Sequence, residues 1–324
     1  MKDLLYPLKF ESILKQKIWG GEKLVNLLNK PSNYKDVGES WELSGVDGNI
    51  SEISNGPLKG KTLNQILDRH GSALLGLKNT ERFGNKFPLL IKFIDAKLDL
   101  SVQLHPGDKL AKERHQSFGK TEMWYVMQAD KGAKLIVGFN QEMDVEKYKR
   151  YLNQKRLPEI LNFDDVKPGD TYFIEAGRIH AIGAGVLLAE IQQTSDVTYR
   201  VYDWDRKDVH GNERELHNDV ALDALNFDLE DDFRVDYNKE TNTPNNMISC
   251  PYFTTNFIPL QGEVIKENDK ESFIIYLCVG GAFEISVNNQ KETLKAGETV
   301  LLPASISTYE LKSKNAELLE VYIS

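Results

Sequence analysis

Residues 98–105, Leu-Asp-Leu-Ser-Val-Gln-Leu-His, alternate strictly between apolar and polar side chains. On a strand this puts Leu98, Leu100, Val102 and Leu104 on one face and Asp99, Ser101, Gln103 and His105 on the other. The segment Lys120 to Met127 alternates in the same way and brings Lys120 and Glu122 together. A second imidazole, His180, follows the apolar run Thr171 to Ile174 in the turn Gly177-Arg-Ile-His180. Two imidazoles, a carboxylate and an amide oxygen are a workable ligand set for a borderline divalent cation. Imidazole and carboxylate both suit zinc, and an incomplete protein shell leaves a position for substrate. One such residue on a strand is ordinarily a satisfied or solvated side chain; their coincidence on matching faces is what points to a metal site.

The elements that must position these groups are mostly strands. Apolar or alternating segments occur at 87–94, 98–105, 120–127, 133–138, 171–175, 186–192 and 197–202. Helical periodicity is confined to short connecting pieces at 63–69, 108–115, 145–155 and 218–226. This favours a β-sandwich or barrel with helical decoration over alternating βαβ units. The 324 residues exceed the usual size of one hydrophobic core, so two domains are expected. Residues 228–246, rich in Asp, Asn, Lys and Thr, form the best linker. The boundaries expected are 1–240 for a metal-binding catalytic domain with helical elaborations and 241–324 for a second β domain.

Composition excludes several classes. Apolar residues make up 40% and charged residues 27%, with no apolar run long enough to span a bilayer, so no membrane partner is expected. A net charge of −9 with interspersed signs argues against nucleic acid, which calls for a basic face. Two cysteines give no disulfide framework, and the N-terminal Met-Lys-Asp-Leu-Leu-Tyr-Pro lacks the apolar core of a secretory signal. A reducing cytoplasm is the compartment expected.

The chain also repeats itself. Lys167-Pro-Gly-Asp-Thr-Tyr-Phe-Ile-Glu-Ala-Gly-Arg-Ile-His180 aligns without gaps with Lys295-Ala-Gly-Glu-Thr-Val-Leu-Leu-Pro-Ala-Ser-Ile-Ser-Thr308. Both copies are similar to the second signature of the cupin superfamily, Gly-x5-Pro-x-Gly-x2-His, whose histidine binds metal inside a jelly-roll barrel. Glu175 replaces the proline in the first copy, and Thr308 replaces the histidine in the second. The expectation is a mainly β protein of two cupin-like jelly-roll barrels with short helical decorations, the second barrel metal-free.

Beyond these signatures, residues 90–96, Ser101-Val-Gln-Leu-His-Pro-Gly-Asp108, Lys120-Thr-Glu122, Gly177-Arg-Ile-His-Ala181 and the stretch 190–202 resemble type I mannose-6-phosphate isomerases. The blocks Lys17-Ile-Trp-Gly-Gly-Glu-Lys23 and Gly38-Glu-Ser-Trp-Glu-Leu-Ser44 also look like family blocks. The resemblance runs from about residue 6 to the end and is strongest before residue 205. It implies one zinc ion per chain held by Gln103, His105, Glu122 and His180, with Arg200 as a catalytic residue. It also implies that Ser101, Lys120 and Lys92 bind the substrate, a phosphorylated hexose. Two departures stand out. Only 57 residues separate Glu122 from His180, where long members carry a helical domain, so the chain resembles the short bacterial form. Gly119 stands where some long members have a histidine before the lysine, and His115 is the nearby alternative.

The residues suit that chemistry on their own terms. Moving a proton between C2 and C1 of an aldose passes through an enediol, and a divalent cation aimed at both oxygens stabilises it. Arg200 alternates with Thr198 and Tyr202 and can bind an oxyanion, but a guanidinium is a poor base. Glu190, Asp196, Lys92 and a metal-bound water remain open as proton carriers. Two other readings compete: an Fe(II) cupin oxygenase on the same ligands, and a cupin sugar-binding or regulatory protein with a structural metal. The first leaves Lys92, Ser101, Lys120 and Arg200 without a task. A monomer and a dimer are both compatible with the sequence.

Overall fold

The computed structural model describes residues 5–207, 210–288 and 290–323; residues 1–4, part of the stretch read for a targeting signal, lie outside the described residues. Among the described residues, eleven strands precede residue 210: β1 Ile13–Gly21, β2 Val37–Leu43, β3 Leu89–Ala96, β4 Val102–Leu104, β5 Glu122–Ala129, β6 Lys134–Phe139, β7 Leu161–Asp165, β8 Thr171–Ile174, β9 His180–Ile182, β10 Val186–Gln193 and β11 Tyr199–Tyr202. They form a six-stranded sheet in the order β1-β2-β3-β10-β5-β8 and a five-stranded sheet in the order β11-β4-β9-β6-β7, all antiparallel. The two sheets face each other as a jelly roll, and the fold is mainly β as expected. Among the described residues, no helix is long and apolar enough to cross a membrane.

Strands β3 and β10 are buried on both faces, which accounts for their apolar character around the polar residues Lys92, Asp95, Glu190, Gln192 and Gln193. One face, with Ile94, Ala96, Val186 and Leu188, lines the barrel interior. The other, with Ile91, Phe93, Leu187 and Ile191, packs on Leu63, Leu67 and Leu74 of the helix Leu63–Leu75 and on Phe253, Phe257, Phe273 and Leu319 from the C-terminal sheet. That helix opens with a capping box between Thr62 and Gln65.

The C-terminal strands are β12 Asn245–Ser249, β13 Thr254–Glu267, β14 Ile274–Val287, β15 Gln290–Lys295, β16 Thr299–Leu302 and β17 Thr308–Tyr322. They pair in the order β12-β13-β17-β14-β15, with β16 on β14. Tyr276, Cys278, Phe283, Val300, Tyr309 and Leu318 fill the interior. The sequence repeat has a structural counterpart. Gly169 and Gly297 both sit at positive φ, 90° and 88°, and turn the chain into β8 and β16, after which β9 and β17 begin at His180 and Thr308.

Two expectations are corrected. The regular strand forecast over 98–105 is only β4, Val102–Leu104; Leu98 is 50% exposed, and Asp99 accepts a hydrogen bond from the Ala184 N–H. Lys97 and Leu98 bond back to the Trp19 carbonyl, which turns the chain before the pairing starts. The polar stretch 228–246 is a docked strap rather than a free linker. Phe233 is buried against Gly138, whose φ of 72° and lack of Cβ make room for the ring, and Val235 donates to the Thr171 carbonyl. Tyr237 adds a second anchor, its hydroxyl donating to the Gly169 carbonyl at 2.7 Å and its ring packing on Phe257; isolated anchors of this kind have no periodicity. Replacing Phe233 with Ala should cost about 3 kcal/mol in denaturant unfolding, and the strap should become a site of limited proteolysis. An unchanged midpoint would show that the strap contributes nothing to stability.

Candidate metal centre and substrate pocket

The antiparallel registers decide which side chains meet. Across the six-stranded sheet, Trp41, Lys92, Glu190 and Trp124 are consecutive cross-strand partners, and Gln192 lies opposite Glu122. Across the five-stranded sheet, Arg200 pairs with Gln103 and Gln103 with His180. Two polar rows therefore face one another inside an apolar barrel.

At their meeting point are His105, Glu122 and His180, all buried, with ligand atoms within 4.8 Å of one another. His105 Nε2 is 3.5 Å from Glu122 Oε2, and His180 Nε2 is 3.6 Å from Oε1. Each imidazole is oriented by its other nitrogen: Nδ1 of His105 donates to the Val197 carbonyl at 2.9 Å and Nδ1 of His180 to the Arg178 carbonyl at 2.8 Å. This leaves both Nε2 lone pairs aimed at the carboxylate, the arrangement that metal-binding histidines use. Both Glu122 oxygens are buried; Oε1 has no hydrogen-bond partner, and Oε2 has only the Lys120 ammonium beside it. A carboxylate in that state calls for a cation. The Lys120 ammonium lies 3.1 Å from Glu122 Oε2 and 3.0 Å from His105 Nε2. Gln103 lies 3.5 Å from His180 Nε2 through Nε2; exchange of the amide atoms turns Oε1 to the same place.

The loops that carry these groups are tightly specified. Gly177, at φ 90°, donates its N–H to the His105 carbonyl at 2.7 Å, and a Cβ there would lie 2.3 Å from the Ala224 oxygen. A Cβ on Gly119 would lie 2.6 Å from the Asp108 nitrogen, so this loop has no room for the histidine that some long relatives carry there. His115 gives no substitute: it stands on the outer face and bonds the Tyr199 hydroxyl at 2.8 Å.

Beside this centre opens a pocket of about 360 Å³. Lys92, Ser101, Gln103, Lys120 and Arg200 all line it, together with Glu190 and Asp196. Its cations are mostly paired: Lys92 with Glu190 at 2.9 Å and Lys17 with Glu39 at 3.3 Å. Arg200 is the exception; its Nε contacts Ser101 Oγ at 3.3 Å, and Nη1 donates to the Glu215 carbonyl at 2.9 Å. Trp41 forms part of the wall and donates to Glu39, whereas Trp124 is core and donates to Glu190 at 3.0 Å. Asp99, on the same nominal face as His105, takes no part. The sequence reading assigned no role to Glu39, Lys17 or Arg214, all of which line the pocket. Glu39 and Lys17 fall in the two blocks that look like family blocks, 38–44 and 17–23; Arg214 had no such signal.

Burial dominates the electrostatics. It lowers both histidines, His180 to about 4, with the Lys120 charge acting in the same direction. Burial and then the Glu190 charge raise Glu122, while for Glu190 burial is outweighed by Lys92 and Lys120, which hold it low. Lys92 is raised: burial lowers it, but Glu190 and Glu39 outweigh that effect. The signs are opposite for the two kinds of ligand. A His180 that stays neutral down to about 4 contributes stability above the unfolded value near 6.5 and loses it as pH falls. A raised Glu122 costs the metal-free protein stability as pH rises past the ordinary carboxylate range. A bound cation cancels that cost, so the metal-dependent gain in Tm should grow between about pH 5 and about pH 8. A gain independent of pH would remove Glu122 from the ligand set.

The comparisons agree with this geometry. The family description "Phosphomannose isomerase type I, catalytic domain" matches residues 7–136, and "Mannose-6-phosphate isomerase, cupin domain" matches residues 243–323. Mannose-6-phosphate isomerase ManA of Bacillus subtilis is 34% identical over 310 residues, covering 94% of this chain and 96% of its own. The mannose-6-phosphate isomerase of Streptococcus mutans is 33% identical over 312 residues, 94% of each chain. The crystal structure of the B. subtilis mannose 6-phosphate isomerase superposes with a TM-score of 0.89 at 32% identity, covering 98% of this chain and all of that one. With identity of this order over nearly its whole length, the chain belongs to the type I mannose-6-phosphate isomerase family.

Proposed function

We propose that the protein interconverts D-mannose 6-phosphate and D-fructose 6-phosphate with one zinc ion per chain, held by Gln103, His105, Glu122 and His180. The observation that carries this reading is the Glu122 carboxylate, buried between two imidazoles with Oε1 unpartnered and only the Lys120 ammonium beside Oε2, next to a pocket of sugar-phosphate size lined by Gln103, Lys120 and Arg200. Imidazole, carboxylate and amide donors fit zinc. When bound, the ion supplies positive charge to the oxygens on C1 and C2 of the substrate, where the charge of an enediol develops.

The remaining residues divide by their surroundings. Arg200 keeps Nη2 clear of bonds to the described residues and so offers a donor to an oxyanion. Ser101 and Lys120 present a hydroxyl and a charge to the phosphate or the sugar. Lys92 stays an ammonium, since its neighbours raise it, and acts by orienting and charge rather than as a base. Glu190 is tied to Lys92 and Trp124 and is held low, which makes it a weak proton acceptor. Asp196 lines the same pocket, is exposed, and forms no ion pair with the described residues, so it is the carboxylate available to carry the proton. With a boundary at residue 240, all of these groups belong to the first domain and the second supports it by packing. The thiols Cys250 and Cys278 are both free, which suits a reducing cytoplasm.

Formation of fructose 6-phosphate from mannose 6-phosphate should disappear on chelation and return with zinc. Elemental analysis should find the ion in the wild type and in Arg200→Ala but not in His105→Ala or His180→Ala. Arg200→Ala should lose on the order of a hundredfold in kcat. Iron in place of zinc, or activity that survives full metal removal, would overturn the metal assignment. For proton transfer, Asp196→Asn should abolish turnover with the metal retained, whereas Glu190→Gln should also lower Tm by leaving Lys92 without its counter-charge. Turnover by Asp196→Asn within twofold of wild type would exclude Asp196.

A further inference from the structure

Arg200 stands on β11, the outermost strand of its sheet, so no neighbouring strand covers the outward N–H and C=O of residue 200. One residue satisfies both. The His217 N–H donates to the Arg200 carbonyl at 2.7 Å, and the His217 Nδ1 accepts from the Arg200 N–H at 3.0 Å. Two residues earlier, the Glu215 carbonyl accepts from Arg200 Nη1. The segment Glu215–His217 therefore grips Arg200 at its backbone and at its guanidinium, while Ser101 holds Nε from the opposite side.

The excursion that brings this segment back is stapled at its base, because Asp203 accepts from Arg214 Nε at 2.6 Å. His217 then leads into the short helix Asn218–Ala221, whose Ala221 N–H bonds the His217 carbonyl at 2.9 Å. His217 does not line the pocket. Its Nδ1 is an acceptor, which fixes the hydrogen on Nε2. Nothing in this arrangement is needed to close the barrel, since β11 already pairs with β4 on its inner side. Its effect falls on the pose of one side chain.

We infer that His217 is a positioning residue for Arg200, acting through the imidazole Nδ1 to fix the backbone from which the guanidinium reaches the substrate pocket. The inference rests on the proposed action of Arg200 on the substrate. Small displacements of an aligned group cost rate more than binding. Removing the imidazole should therefore lower kcat more than it raises KM.

The test compares His217→Ala, His217→Asn, Arg200→Ala and the double variant Arg200→Ala/His217→Ala in full-length, zinc-loaded protein, with steady-state kinetics, metal content and Tm. His217→Ala should lose about tenfold in kcat with wild-type metal content. His217→Asn, whose Oδ1 is also an acceptor, should recover most of that loss. In the Arg200→Ala background, His217→Ala should cost nothing further. An equal loss in both backgrounds, or a fall in Tm that His217→Asn shares, would show a merely structural residue and overturn the inference. Wild-type kcat in His217→Ala beside a crippled Arg200→Ala would overturn it too, leaving the reading of Arg200 intact. Full turnover by Arg200→Ala would instead remove the action of Arg200, and the positioning role with it.

Discussion

The structure turns on a charge placed where water cannot reach it. Glu122 lies at the start of β5 inside a jelly-roll barrel, with both oxygens buried and Oε1 without a partner. A bare carboxylate in such a place is unstable unless a cation compensates it. The surrounding order follows from that need: two imidazoles aim lone pairs at the same point, and the Lys120 ammonium lies within 3.1 Å. The same residues that make the site costly without a cation give it a strong preference for one.

Around this centre the barrel distributes charge in alternating pairs. Lys92 and Glu190 face each other across β3 and β10, and Glu39 adds a second carboxylate on β2 beside Lys17. The pairing with Glu190 and Glu39 raises Lys92, and Lys92 with Lys120 holds Glu190 low. Asp196 and Arg200 lie outside these pairs and remain open to a ligand. The loops between β10 and β11 serve two purposes at once, since the Val197 carbonyl orients His105 and Asp196 sits one residue before it.

The second jelly roll is not an appendage to this site. Its Phe253, Phe257, Phe273 and Leu319 share a core with the outer faces of β3 and β10. Those two strands carry Lys92 and Glu190 on their inner faces, so the packing of the C-terminal strands sets the plane of the sheet that presents the pocket. The strap 228–246 reinforces the link by anchoring Phe233 beside β6 on its way between the barrels.

Much of this was legible in the chain itself. Period-two alternation put Ser101, Gln103 and His105 on one face and Lys120 with Glu122 on another, because side-chain direction on a strand depends only on local geometry. The repeat that ends at His180 and at Thr308 marked two barrels, since the same turn and strand recur in each. Local pattern did not extend to the partners. Which strand lies beside which, and in what register, depends on long-range pairing, so the rows Trp41-Lys92-Glu190-Trp124 and Arg200-Gln103-His180 belong to the tertiary structure alone. The same holds for Lys17, Arg214 and His217, which reach the site or its support from segments without periodicity. The docking of a polar strap through Phe233 and Tyr237 also needed the folded surface. Sequence determined the chemistry available and the faces that carry it; the fold decided which of those groups meet, because only packing brings distant strands into register.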